Sequence, residues 1–325
     1  MESNQNNIKF IIHRGSHQIG GNCVELATQN TRILIDCGLP LDFEEQPKDT
    51  QEKILEDAKE WTRNCDAIFL SHYHADHYGL LNEAPKGTKV YVTKETAELM
   101  KISGVFGEDL TKHLDIHPIE NTVTVKDFRV TKYDVDHSAF GACAFLFEVC
   151  GKTILYSGDI RLHGKKGILY QYLPQNVDYL FLEGTNLGRG VRQKTEKDME
   201  NEFVQQFNSN PNSSFLVWCS GQNIDRIVTL FKACIDTKRN LCVDTYTAYV
   251  LELAHQFHDK IPSVKDHSNL LVYYPSRFST KMRNKRPDIH KYIVENSKKN
   301  PERRPTKQSV EICVCVSPQP AGFLQ

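Results

Sequence analysis

The densest chemistry of the chain lies in six residues, His72-Tyr73-His74-Ala75-Asp76-His77. Three imidazoles and a carboxylate follow directly on an apolar run at 67–71. Imidazole nitrogens and carboxylate oxygens are the ligands that Zn²⁺ takes, about four at a time. A turn at the end of a strand fans such side chains toward a common point. A hydrolytic pair of metals, about 3.5–4 Å apart, needs roughly this many ligands and a shared carboxylate. The competing reading is a surface loop that happens to be rich in His. The density of ligand types behind an apolar strand argues against it.

Two more segments present the same residue types. Asp134-Val135-Asp136-His137 follows an apolar stretch ending at Tyr133, and Ser157-Gly158-Asp159 follows another ending at Tyr156. A single His or Asp at a strand end is more often structural. Three strand ends presenting His and Asp form a convergent cluster, as sites on α/β and sandwich folds are built.

The elements that must position this cluster read as strands in the first part of the chain. Short apolar runs at 23–27, 32–36, 67–71, 89–93, 123–125, 128–133, 143–149, 153–156 and 179–182 are strand candidates. Helical spacing appears at 49–63 and 93–102. After about 210 the rhythm alternates strand and helix: strands at 215–219, 241–243 and 270–274, helices at 223–235 and 245–257. Alternation of this kind implies βαβ units and a parallel sheet. A helix is also expected at 194–207. Ser220-Gly221, just before the helix at 223–235, is a candidate phosphate-binding turn; a plain turn into a helix cap competes with it.

Composition bounds the remaining choices. The 325 residues are 39% hydrophobic and 25% charged, an ordinary globular balance. No stretch approaches the roughly 20 apolar residues of a membrane span. The polar N-terminus does not read as a secretory signal, which leads us to expect a cytoplasmic protein. Ten scattered Cys read as reduced and mostly buried. The net charge of −1 conceals a basic stretch, residues 277–307, with eleven Lys/Arg against three acidic residues, a net of +8. Such a block suits phosphate backbones; a solvated helix face is the plainer reading.

HxHxDH, then DHS, then SGD, each behind a strand, resembles the metallo-β-lactamase fold of metallohydrolases. More narrowly, the chain is similar to the β-CASP nucleases of the ribonuclease J type. The similarity rests on Gly20-Gly21-Asn22-Cys23, Ile35-Asp36-Cys37-Gly38, residues 136–142 (DHSAFGA), 156–166 (YSGDIRLHGKK), 181–189 (FLEGTNLGR) and 219–226 (CSGQNIDR). It spans about residues 10–290. It implies an α/β fold: an αββα metallo-β-lactamase-like sandwich over 1–210, a partial inserted α/β β-CASP domain over 211–300, and an atypical, poorly ordered tail over 301–325.

The resemblance also implies roles. His72, His74 and His137 match the ligands of a first Zn²⁺. Asp76 and His77 match those of a second, and Asp159 the carboxylate bridging the two. Asp36 matches a buried Asp that orients the metal-binding loop. Asp76 and Glu183 match catalytic acids, and Ser220 and Gly221 are weaker candidates for substrate binding. The implied activity is hydrolysis of RNA phosphodiester bonds by hydroxide formed at the metals, by exo- or endonucleolytic cleavage. RNA is the implied partner, with a homodimer as a further expectation and no membrane.

The β-CASP pattern includes a return to the first domain, carrying one more His ligand, that does not appear before Gln325. A C-terminally truncated member is therefore expected, with a weakened second zinc site. His255, His258, His267 and His290 stand in no matching motif. The alternative functions are a weakly active or inactive RNA- or partner-binding remnant, and another metallohydrolase of the same fold acting on a thioester or lactam.

Overall fold

A computed structural model of the chain describes residues 7–106, 109–188, 190, 193–274, 276–298 and 312–315. They belong to two compact units. The first comprises Met1–Lys101, Asp109–Leu162 and Lys166–Gly190, and the second Ile102–Glu108, His163–Lys165 and Val191–Gln325.

The first unit opens with an antiparallel meander of β1 (Lys9–Arg14), β2 (Cys23–Ala27) and β3 (Arg32–Ile35). Helix α1 (Lys48–Thr62) then crosses to β4 (Ala67–Phe69), which pairs parallel with β3. A single helical turn, α2 (Ala75–Tyr78), precedes β5 (Lys89–Thr93). Helix α3 (Lys94–Phe106) leads on to β6 (Asp115–Ile119), parallel to β5. These six strands form one sheet in sequence order. The second sheet runs β11-β10-β9-β8-β7, built from β7 (Thr122–Val125), β8 (Phe128–Asp134), β9 (Cys143–Val149), β10 (Lys152–Tyr156) and β11 (Tyr179–Phe181).

The two sheets face each other across one core. Leu26, Ile33, Ile35 and Phe69 of the first meet Phe128, Phe145, Phe147 and Ile154 of the second. Side chains alternate along a strand, so the neighbours of these residues point the other way. In the first sheet Leu34, Ile68 and Val90 are all wholly buried. Both faces of that sheet are therefore covered, as parallel strands require, and α1 and α3 are the crossovers between them. In the second sheet Ala144, Leu146 and Leu155 form a smaller core on the outer face. Besides Tyr133 of β8, its partners Ile160, Leu173 and Val177 come from residues 158–177, whose regular structure is the short turn Gly167–Tyr172. Among the described residues, this side of the sandwich is closed by a strap rather than a long helix.

The second unit contains α4 (Glu196–Ser209), β12 (Phe215–Trp218), α5 (Ile224–Asp236), β13 (Leu241–Asp244), α6 (Thr245–Phe257), β14 (Leu270–Tyr273), α7 (Ser276–Lys285), α8 (Pro287–Lys298) and β15 (Ile312–Cys315). Its sheet is wholly parallel, in the order β12-β15-β13-β14.

Two features differ from the sequence reading. The boundary falls after Gly190 rather than at 210. Helix α4 joins the second unit because its buried Glu196 takes the Arg226 guanidinium of α5 at 3.0 and 3.2 Å and the Thr229 hydroxyl at 2.8 Å. The tail expected to lack order supplies β15, which pairs with both β12 and β13. The rest of that tail lies outside the described residues. Part of the basic stretch has structural work within this unit. Lys281 and Lys285 donate to the carbonyls of Phe106 and Gly104 at the C-terminal end of α3, where cations are favoured.

Candidate metal centre

The ends of four strands of the first unit deliver the cluster. After β3 the chain turns sharply at Asp36, whose φ of +58° is a left-handed conformation that Asp tolerates better than most residues. After β4 it runs through Leu70 and Ser71 into the helical turn that carries Asp76 and His77. Asp136 and His137 follow β8, and Ser157–Asp159 follow β10.

Gly38 permits the close approach of two of these segments. A Cβ built there would lie 1.7 Å from the Asp76 carbonyl oxygen. The same backbone is tied by Asn22 N–H donating to the Asp76 carbonyl at 3.0 Å and Gly38 N–H donating to the Asn22 carbonyl at 2.9 Å.

His72, His74 and His137 offer ligand atoms that all lie within 4.8 Å of one another. His72, His77 and Asp159 form a second such set. The four imidazoles pack as one group: the His72 ring centroid is 4.0 Å from that of His77, 4.5 Å from His137 and 4.8 Å from His74. His77 Nε2 is 3.2 Å from an Asp159 oxygen and 3.8 Å from an Asp76 oxygen. Asp76 thus stands at the margin of the second set, which draws on His72 where the sequence reading placed Asp76.

Hydrogen bonds behind the ligands set their tautomers. Asp36 Oδ2 accepts from His77 Nδ1 at 2.7 Å, leaving Nε2 directed at the centre. Ser71 Oγ donates to Asp36 at 2.8 Å. With its proton so placed, it accepts from His72 Nδ1 at 3.1 Å. The lone pair of His72 is then on Nε2, which is buried without a hydrogen-bond partner. An orphaned buried nitrogen is costly unless something fills its place. The donor set of four imidazoles and carboxylates suits a divalent metal of the zinc type.

Burial pushes the His72 imidazole well below its ordinary range, and the neighbouring imidazoles add to this. The same causes bring His74 down to about 4 and His137 to about 3. All three are neutral near pH 7, the form that ligates. His77 goes the other way: burial alone would lower it, but Asp36 and Asp159 together raise it well above the ordinary value. Asp76 is raised, chiefly by burial. For Asp159 burial is outweighed by the His77 hydrogen bond and the surrounding imidazoles, which hold it low.

A cavity of about 570 Å³ opens on this centre within the first unit, with Asp76, Asp159 and Glu183 in its wall. Glu183 is held by its backbone N–H donating to Ser157 Oγ, and its carboxylate accepts from Thr185 N–H at 2.8 Å. Ser220 and Gly221 are in the second unit. There Asn223 caps α5 by accepting from Arg226 N–H, and Ser220 Oγ accepts from Gln222 N–H. The cap is thus Asn223.

Several contributing residues carry no role in the sequence reading. Asn22 Nδ2 approaches His77 Nε2 at 3.2 Å, and the Tyr156 hydroxyl donates to Asp36 at 2.7 Å. Asp136, almost wholly buried, accepts from Arg161 Nε at 3.0 Å, and Arg161 also reaches the His137 carbonyl. Asn22, Asp136, Tyr156 and Arg161 all stand in the motifs quoted above, so their positions were legible and their partners were not.

Comparison with known proteins agrees with this architecture. The family model described as the metallo-beta-lactamase superfamily matches residues 18–195. An RNase J-like protein of Methanocaldococcus jannaschii is 32% identical over 217 residues, covering 61% of this chain and 47% of that protein. Cleavage and polyadenylation specificity factor 73 of Drosophila melanogaster is 26% identical over 210 residues, 58% of this chain and 30% of that protein. The chain thus spans about half the length of the RNase J-like protein. A crystal structure of a protein of unknown function from Enterococcus faecalis V583 shares the fold, with a TM-score of 0.65 at 20% identity over 82% of this chain and 69% of that one. With the family model covering more than half of the residues, the chain belongs to the metallo-β-lactamase superfamily, with RNase J-like and cleavage-factor proteins among its relatives.

Proposed function

We propose that this chain is a metal-dependent ribonuclease that hydrolyses RNA phosphodiester bonds, with Zn²⁺ as its metal. The observation that carries the reading is the pair of ligand sets sharing His72, whose buried Nε2 lacks any other partner. The RNase J-like relatives point to the substrate class. His72, His74 and His137 would hold one ion, and His77, Asp159 and Asp76 a second. A bound divalent cation supplies Lewis acidity toward a phosphoryl oxygen and brings the pKa of water toward neutrality.

The protein's own groups do the rest. Asp36 holds His77 in one tautomer, and Ser71 does so for His72. Asp76, at the cavity wall, orients the attacking water by accepting its hydrogen bond. Glu183, fixed by Thr185 N–H, stands on the same wall to exchange a proton with the departing oxygen.

Incubation with 5′-monophosphorylated RNA, with and without chelator, tests this reading. A thioester and a β-lactam serve as parallel substrates. RNA cleavage that is lost with chelator and in His74→Ala is expected. Turnover of the thioester alone, or chelator-insensitive cleavage, would overturn it.

A further inference from the structure

The cavity beside the metal centre has a second wall that the reaction described above does not use. It is the end of β1 and the turn to β2, residues 14–22, with Arg14, His17 and Ile19 lining the same cavity as Asp76, Asp159 and Glu183. Among the described residues, Arg14 is the one Lys or Arg in that lining. Its Nη2 donates to Gln18 at 3.3 Å, while its Nε is buried with no hydrogen-bond partner. A guanidinium on the wall of a cavity that also holds the reaction centre suits a phosphate oxygen well.

The turn is fastened to the metal centre rather than free. Gly20 has φ +74°, and a Cβ there would lie 2.9 Å from Asp76 Cβ and 3.0 Å from Asp76 Oδ2. Its backbone therefore rests on the Asp76 side chain. At the far end Asn22 donates to the Asp76 carbonyl from its backbone and approaches His77 Nε2 with its side chain. The turn is thus tied to Asp76 and His77, which places Arg14 close to the ligand residues. Ile19 is half exposed and Leu187, also in the lining, is 90% exposed. They give an apolar edge at the mouth. A volume of about 570 Å³ holds a nucleotide.

We propose that Arg14 binds the backbone phosphate next to the scissile one, with Ile19 and Leu187 against the base or ribose between them. The turn would then choose polynucleotides over single phosphodiesters. This rests on the ribonuclease reading only for which phosphate is cut; the contact itself is one of binding. Arg14 is a positioning residue for the strand.

A coupling cycle tests it on the full chain. Short single-stranded oligoribonucleotides are prepared with one neutral methylphosphonate linkage moved along the strand. Binding to wild type, Arg14→Gln and Arg14→Lys is read by fluorescence anisotropy in chelator, where no strand is cut, and again with zinc. We expect one linkage whose neutralisation weakens wild type roughly tenfold and Arg14→Gln hardly at all. Arg14→Gln should lower the salt slope of binding by about 1, and Arg14→Lys should keep that slope while losing part of the affinity. Equal losses for wild type and Arg14→Gln at every linkage would overturn the proposal, even if RNA is cleaved. Coupling at one linkage in a protein that cleaves no RNA would retain the subsite and remove the ribonuclease reading. Zinc content of each variant separates a lost contact from a lost fold.

Discussion

A single oxygen of Asp36 accepts three hydrogen bonds: from His77 Nδ1 at 2.7 Å, Tyr156 OH at 2.7 Å and Ser71 Oγ at 2.8 Å. Asp36 and His77 are both wholly buried. The pair joins the end of β3 to the turn after β4, with a tyrosine of the second sheet on the same atom. Asp36 is therefore at once a fold residue and the group that aims a metal ligand.

Asp36→Ala should cost about 3–5 kcal/mol, because it leaves a buried His77 and two hydroxyls without their acceptor. Asp36→Asn keeps the shape and tolerates the left-handed turn, so it should fold. Without the carboxylate, its zinc affinity should fall about 10–100-fold. Urea denaturation and zinc titration together check this. An Asn variant that binds zinc like wild type would show that the charge does not act through His77.

Gly38 is itself no ligand, yet Gly38→Ala should strip metal from the second ligand set. The added Cβ would lie on the Asp76 carbonyl and must push the 75–78 turn away from Asn22. We expect a loss of about 2–4 kcal/mol, typical of forced backbone shifts. The zinc content should drop, with the loss concentrated in the more weakly held ion. Retention of full zinc content at wild-type stability would contradict this packing.

Stability of the metal-free protein should fall as pH drops from 6.5 toward 4. His72, His74 and His137 have folded values below the ordinary 6.5, with His74 near 4 and His137 near 3. In that window the unfolded chain takes up protons that these three refuse, and protonation therefore favours unfolding. His77 has the opposite sign. Its raised value contributes stability that is complete below 6.5 and lost as pH rises through the folded value. Thermal melts in chelator across this range should show the acid-side slope, and His137→Ala should flatten it. A melting temperature indifferent to pH from 6.5 to 4 would argue that the imidazoles are solvated.

Glu196→Ala should destabilise the second unit by about 3–5 kcal/mol, since it strands Arg226 and Thr229 around a vacated site. Glu196→Gln should cost less, because one hydrogen-bonding oxygen remains. Metal binding in the first unit is expected to survive both. Denaturation followed by tryptophan fluorescence in a Trp61→Phe background reports on this unit through Trp218, which is on β12.

What could be read from sequence here was what is local. HxHxDH needs only one strand end to bring four ligand side chains to one place, and motif order then places DHS and SGD beside it. Alternating apolar residues were enough to find β9, whose Phe145 and Phe147 face one core and Ala144 and Leu146 the other. The partners of Asp36 were not legible, because Ser71 and Tyr156 are 35 and 120 residues away and a hydroxyl has no periodicity. The boundary at Gly190 was hidden for the same reason. Helix α4 shows its amphipathic pattern but not which unit covers it, and only the Glu196–Arg226 contact decides that. Strand β15 was missed because its value lies in the gap it fills between β12 and β13, a property of the assembled sheet. Residue types and their spacing determined which chemistry the chain carries. The tertiary structure decided which nitrogen faces the metal and that a turn carrying Arg14 lies in the wall beside it. Those depend on contacts between segments far apart in the chain, and only folding creates them.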